Sequence, residues 1–211
     1  MDKKTLTVMP IKRAETHSWL LQKHYAKRLP IIIHAFGLYD NLHLIGVCTY
    51  GLPPSRHLCV GICGESYADN VLELNRLVLQ DNEKNYASFF VSKTLKMLPA
   101  PSIAISYADT AMGHHGYIYQ ACNFLYVGLS AARKDPVGFD CTSGKHSRGK
   151  WVKGGELVER PRKHRYVYFV GSKKERKQML NDLKYKIEPY PKGNNKNYNA
   201  GDRIEVQGIL I

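Results

Sequence analysis

Acids are scarce in this 211-residue chain: 18 Asp and Glu stand against 31 Lys and Arg, a formal charge of +13. An excess of that size opposes compaction unless something anionic is bound in use. Long apolar runs are missing too. The opening MDKKTLTVMPIKR has no stretch of signal-peptide length, and no segment approaches the roughly 18 apolar residues of a membrane span. Cysteine is sparse and odd in number (Cys48, Cys59, Cys63, Cys122 and Cys141), so a reducing, cytoplasmic compartment is expected and no disulfide framework. Cys59 and Cys63 form a C-x3-C pair, yet a second C-x2-C or H-x3-H pair is lacking, so no structural zinc is expected. Internal repeats are absent.

What is present reads as one α/β domain over residues 1–211, with a basic insertion over 131–165 and a C-terminal arm over 186–211. Pattern and turn residues predict a strand over 6–11, a helix over 13–27 and two strands, IIIHAFGLYD and LHLIGVCTYG, joined in a hairpin at Asn41. GLPPSRHLCVGICGESYADN reads as a long loop punctuated by Gly and Pro, and loops of that length are usually functional. A strand VLELNRLVLQ, a helix over 87–98, a strand over 103–108, a helix over 116–122 and a strand over 124–128 follow. A strand over 166–170 and a helix over 172–184 come last, with Ser172 and Glu175 spaced as a capping box. An early hairpin followed by alternating helices is the topology of the GNAT acyltransferase superfamily: a mixed, mostly antiparallel sheet flanked by helices, here with a basic C-terminal extension. Topology alone licenses no chemistry.

The stretch 103–128, IAISYADTAMGHHGYIYQACNFLYVG, is the richest in reactive groups. An apolar strand ends at Asp109, where ligands of open α/β sheets collect, and a Gly-rich turn with His114 and His115 leads to Tyr119. Charge concentrates further on. Between Lys145 and Lys177 lie twelve cations and only the acids Glu156, Glu159 and Glu175, interleaved with Trp151, Tyr166, Tyr168 and Phe169. Cations among aromatics suit a phosphate backbone and its bases, so Lys145, Arg148, Lys150, Trp151, Lys153, Arg162, Lys163 and Arg165 are the candidate nucleic-acid contacts.

Several strings (HYAKRLP, AFGLYD with GVCTYGLPPS, ELNRLVL, NYASFF, SYADTAMGHHGYIYQACNF and HRYVYF) resemble the Mom family of phage DNA-modification proteins, over about residues 10 to 185. The resemblance implies a GNAT-like transferase that converts adenine in double-stranded DNA to an N6-carbamoylmethyl form, shielding phage DNA from restriction in the host cytoplasm. It also implies functional roles for His24, Arg76, Ser88, Asp109 and Tyr119.

Each role has a physical reading. Adenine's exocyclic amine is a poor nucleophile, so Asp109 would accept a proton or orient it, with Tyr119 donating or stacking and His24 assisting. Arg76, in a strand centre, is expected to meet a phosphate or a carboxylate such as Asp109. The helix start at DNEKNYASFF lacks the glycines of ordinary GNAT phosphate turns, leaving Asn85 and Ser88 to contact acetyl-CoA or another acyl donor. Bond formation at a methyl carbon leaves iron, held partly by His24, as a further cofactor candidate. Reaching N6 in a duplex requires opening the pair or flipping the base, with Tyr50, Tyr119 or Trp151 to hold it. A homodimer suits a two-fold duplex. The competing functions are acyl transfer to another amine and non-catalytic DNA binding.

Overall fold

In a computed structural model, residues 6–81, 83–136 and 157–193 are described. Nine strands are found among them. Seven form one sheet: β1 (Leu6–Pro10), β2 (His34–Asp40), β3 (His43–Gly51), β4 (Val71–Leu79), β5 (Ser102–Asp109), β6 (Leu125–Leu129) and β9 (Lys163–Val170), in the order β1-β2-β3-β4-β5-β9-β6. The short pair β7 (Arg133–Pro136) and β8 (Leu157–Arg160) makes a second sheet at the base of the basic insertion. All pairings in the large sheet are antiparallel except β4 with β5. The expected mixed, mostly antiparallel GNAT-like sheet with flanking helices is therefore the observed one.

Period-2 alternation sorts the side chains onto two faces. On one face Phe36, Leu38, Cys48, Tyr50, Leu74, Ala104 and Tyr166 pack against α3 (Tyr86–Leu95) and α4 (Tyr117–Ala121). On the other, Ile103, Ile105, Val127 and Val167 pack against α2 (Arg56–Cys63) and α5 (Lys173–Asn181). Towards β2 that second face carries Ala35, Val47 and Val78, covered by Leu20 from the single π-helical turn Trp19–Lys23 that continues α1 (Arg13–Ser18).

Three expectations need correction. The stretch 51–70 is largely helical, α2 followed by a 3-10 segment Glu65–Asn70; Cys59, Ile62 and Cys63 recur at i, i+3 and i+4 and are buried. The first helix stops at Lys23 instead of Lys27, because the chain turns at His24 into extended backbone. The last strand begins at Lys163, so residues 163–165 belong to the sheet and leave the insertion. Asn41 does make the hairpin turn, at φ 53, and Ser172 with Glu175 does close a capping box.

The C-terminal arm, as far as Gly193, runs beside β6 and over α4. Glu188 N–H donates to the Tyr126 carbonyl at 2.9 Å, Tyr190 Oη to that of Phe124 at 2.8 Å, and Gly193 N–H to Tyr117 Oη at 2.8 Å. Cys48, Cys59, Cys63 and Cys122 are buried and unlinked.

Candidate active site

Strands β4 and β5 pair through their backbones only along Val71–Glu73 with Ile103–Ile105, with Ser106 Oγ donating to the Leu74 carbonyl at 3.0 Å; beyond that they part, leaving a cleft lined by the later residues of both. A bulge decides what faces it. Tyr50 pairs with Leu74 but Thr49 with Arg76, so Asn75 is an extra residue in β4. One inserted residue shifts the alternation by one, which sends Arg76 to the same face as Glu73. Asn75 is held on both sides, accepting from Thr49 Oγ1 at 2.6 Å and donating to the Ile31 carbonyl at 3.0 Å. Gly51 makes this possible: a Cβ there would stand 1.7 Å from the Ile31 oxygen.

The crossing segment delivers His24 beside Arg76. Its ring is buried at 7% exposure, and desolvation, with the charges of Arg76 and Arg28 and with His114, pushes its pKa down to about 3. His24 is therefore a neutral imidazole at any physiological pH. Its Nδ1 accepts the Ala26 N–H at 3.0 Å, which assigns the ring proton to Nε2. Tyr25 stacks on it at 4.4 Å between centroids, meets His114 edge-on at 6.3 Å, and remains half exposed.

Arg76 donates from Nη1 to the Asn75 carbonyl at 2.6 Å, while its buried Nε has no hydrogen-bond partner. Burial, then the nearby Arg28, lowers its pKa, and Glu73 and Tyr25 oppose the shift. Burial raises the pKa of Glu73 against the pull of Arg76, Lys163 and Arg28. Asp109 sits on the same face: its Oδ1 accepts the Ala111 N–H at 3.1 Å, fixing the turn after β5, and its Oδ2 meets Lys163 Nζ at 2.9 Å. Desolvation lowers the pKa of His114, with Asp109 opposing it. Asp109, His24, Arg76, Glu73, Lys163 and His114 thus form one electrostatically connected set at the β4–β5 cleft.

Tyr119 lies elsewhere. Its ring packs on Phe124 and Tyr166, centroids 5.4 and 5.2 Å away, on the α3–α4 face of the sheet, so the structure separates it from Asp109 by the thickness of the sheet. Tyr50 is fully buried with its hydroxyl 2.7 Å from Thr94 Oγ1, which rules it out as a holder of a flipped base. At the start of α3, Asn85 takes left-handed backbone (φ 67) without capping the helix through its side chain, and Ser88 Oγ turns back to the Asn85 carbonyl at 3.2 Å. The acids Asp81 and Glu83 flank this turn along a groove of about 340 Å³.

Among the sequence-derived DNA contacts, three are engaged inward. Arg162 donates from Nε to the Ser130 carbonyl at 2.6 Å, Lys163 pairs with Asp109, and Arg165 stacks on Tyr185 at 4.4 Å and bonds to Tyr107. Lys145, Arg148, Lys150, Trp151 and Lys153 lie outside the described residues. Iron at His24 finds no support among the described residues: they hold no group of three or more His, Cys, Asp or Glu that could bind a metal, and the charges of Arg76 and Arg28 act on the ring. Sequence reasoning missed Glu73 and Tyr25 as members of the site. Glu73 had a visible signal, an acid inside an apolar strand.

No helix among the described residues is long and apolar enough to cross a membrane. The fold is similar to Arabidopsis thaliana NAA60 in complex with acetyl-CoA, with a TM-score of 0.51 and 14% identity over 79% of this chain and 99% of that one. A further neighbour is the ribosomal-protein-S5-alanine acetyltransferase from Vibrio fischeri, with a TM-score of 0.47 and 10% identity over 81% and 96% of the two chains. In sequence, the chain is 28% identical over 204 residues to the methylcarbamoylase Mom of Escherichia phage Mu, covering 85% of this chain and 83% of the relative. Residues 5–192 match the Mom protein family, nearly the whole of the chain, and the chain belongs to that family.

Proposed function

We propose that this Mom-family transferase modifies the N6 amine of adenine in double-stranded DNA, leaving a carbamoylmethyl group that protects phage DNA from restriction. The observation that carries this reading is the bulge-directed meeting of a neutral, buried His24 with Arg76 and the carboxylates of Glu73 and Asp109 where β4 and β5 part.

The chemistry follows from the geometry. As the amine attacks, a proton must leave N6; Asp109, fixed by Ala111 and Lys163, is the acceptor that also orients the amine. The carbamoylmethyl product carries a new N6–CH2 bond, so the amine must displace a leaving group from the donor's methylene carbon; the negative charge departing with that group would be met by His24 Nε2–H and by Arg76, whose unpaired Nε is an available donor in a desolvated setting. Tyr25, half exposed and stacked on His24, is placed to receive an extruded purine. Tyr119, behind the sheet, would act by shaping the cleft from the α3–α4 side.

The group donor would lie where β4 and β5 part. Acetyl transfer from acetyl-CoA, the ligand of the plant neighbour, would leave N6-acetyladenine, so the carbamoylmethyl product calls for a donor whose leaving group sits on the methylene carbon; for a coenzyme A-borne donor, Asn85 and Ser88 at the uncapped start of α3 would be the phosphate contacts. Asp81 and Glu83 beside that turn weaken it as a pyrophosphate seat relative to a Gly-rich one. The partner duplex would be gripped by the basic insertion and by the exposed Lys173, Lys174, Arg176 and Lys177 of α5. The cytoplasm is where such a substrate is met, and a two-fold duplex would suit a homodimer.

Digesting DNA from cells that express the protein and weighing the nucleosides tests the reading. A heavier deoxyadenosine is expected with the wild type and its absence with Asp109→Ala, which should still bind DNA. Unmodified adenine in the presence of the folded wild type would refute the assignment.

A further inference from the structure

The segment between His24 and β2 combines two features that seldom share a loop. Its backbone is anchored: Ile33 N–H donates to the Tyr50 carbonyl at 2.8 Å, and the Ile31 carbonyl accepts from Asn75 Nδ2, a contact for which Gly51 leaves room. Its apolar side chains nevertheless point into solvent. Ile31 is 65% exposed, Leu29 42%, Ile33 41%, and Leu52, next to Gly51, 54%. Cations surround them, since Lys23, Lys27 and Arg28 are all exposed. The same Asn75 that holds Ile31 accepts, through its carbonyl, a hydrogen bond from Arg76, so the exposed patch is the rim of the active site.

We propose that this loop is the wedge that opens the DNA: Ile31, with Leu29 and Ile33 beside it, inserts between base steps next to the target adenine while Lys23, Lys27 and Arg28 hold the flanking phosphates. The proposal rests on double-stranded DNA being the substrate and adds the device by which a paired adenine reaches Tyr25 and His24. A β-branched side chain on a pinned backbone has little freedom to lose on insertion, which suits an element that must offset the few kcal/mol of unstacking. The charge pattern selects the occupant. Two copies of a +13 chain would bring these cations face to face, whereas a polyanion neutralises them while its base stack accepts the apolar side chains.

The test uses the full-length protein and a duplex in which 2-aminopurine, fluorescent when unstacked, replaces adenine. Wild type should raise the fluorescence of a fully paired duplex. Ile31→Ala should bind that duplex yet lose most of the rise, regain it when the 2-aminopurine lies opposite an abasic site, and modify cellular adenine about tenfold less. Ile31→Ser should behave alike, with melting temperatures unchanged because the side chain is exposed. A full rise with Ile31→Ala on paired DNA overturns the proposal, as does an equal loss on the abasic duplex. A changed sedimentation mass with unaltered fluorescence assigns the patch to self-association and overturns it as well. These outcomes are distinct from failure of the functional reading, which would appear as unmodified cellular adenine with the wild type.

Discussion

The two faces of the central sheet solve opposite problems. On the α3–α4 side polar groups are matched: Tyr50 with Thr94, Thr94 with the Val91 carbonyl at 2.9 Å, and Tyr126 with His164 Nδ1 at 2.9 Å, amid rings of Tyr119, Phe124 and Tyr166 at close spacing. On the other side, where β4 and β5 part, Arg76 and Arg165 each bury an Nε without a partner, and Glu73 is held where its charge is disfavoured. Buried, half-matched charge is costly to a fold. Its concentration on one face, beside the cleft, is what a site for a charged or polarised reactant requires, while the aromatic face supplies the rigidity against which it is held.

Substitutions at three positions sharpen the contrast. The largest effect is expected on the cleft face. Arg76→Ala should reduce adenine modification by roughly 10²-fold or more while leaving the thermal transition nearly unmoved, and Arg76→Lys should fail to restore activity because the guanidinium fork is lost. Nucleoside mass spectrometry beside a melting curve reads both halves; a collapsed melting transition would move Arg76 to the structural class. Tyr50→Phe should do the reverse. Removing a buried hydroxyl bonded to Thr94 should cost about 1–2 kcal/mol in denaturant unfolding, with unchanged modification per folded molecule.

The third effect, the smallest at neutral pH where the ring is uncharged in both states, is a pH dependence. The unfolded chain protonates His24 below its ordinary pKa of 6.5, but the folded chain does so only near 3, so the folded state binds fewer protons in between. The stability associated with the neutral ring is intact above pH 6.5 and drains as pH falls towards 3, at up to about 1.4 kcal/mol per pH unit. His24→Asn should flatten that slope relative to wild type. Parallel slopes for the two proteins would mean that the ring is solvated and titrates normally.

Local signals carried much of this. The hairpin at Asn41, the cap at Ser172 and the strand ending in Asp109 were readable because each is a short-range rule about turns, caps and alternation. Helix α2 was obscured by Gly61, Gly64 and two prolines, although Cys59, Ile62 and Cys63 already had helical spacing. The Asn75 bulge was out of reach, since an extra residue in one strand shows only against its partner, and with it went the recognition that Glu73 and Arg76 share a face. Placement of β9 between β5 and β6 is likewise a long-range fact; it is what gives Asp109 its lysine and puts Tyr119 behind the sheet. Single residues could be nominated from the sequence, but which of them meet depended on register.

The C-terminal arm, where it follows β6, has a consequence for how the molecule coexists with its own copies. β6 is one of the two edge strands of the sheet, and an uncovered border of that kind is a template for pairing with any extended chain. By giving Tyr126 and Phe124 their outer hydrogen bonds, Glu188 and Tyr190 close that border from within the same chain. Trimming the protein before Lys186 would thus trade an intramolecular seam for an open one, and solubility would be the first property to suffer.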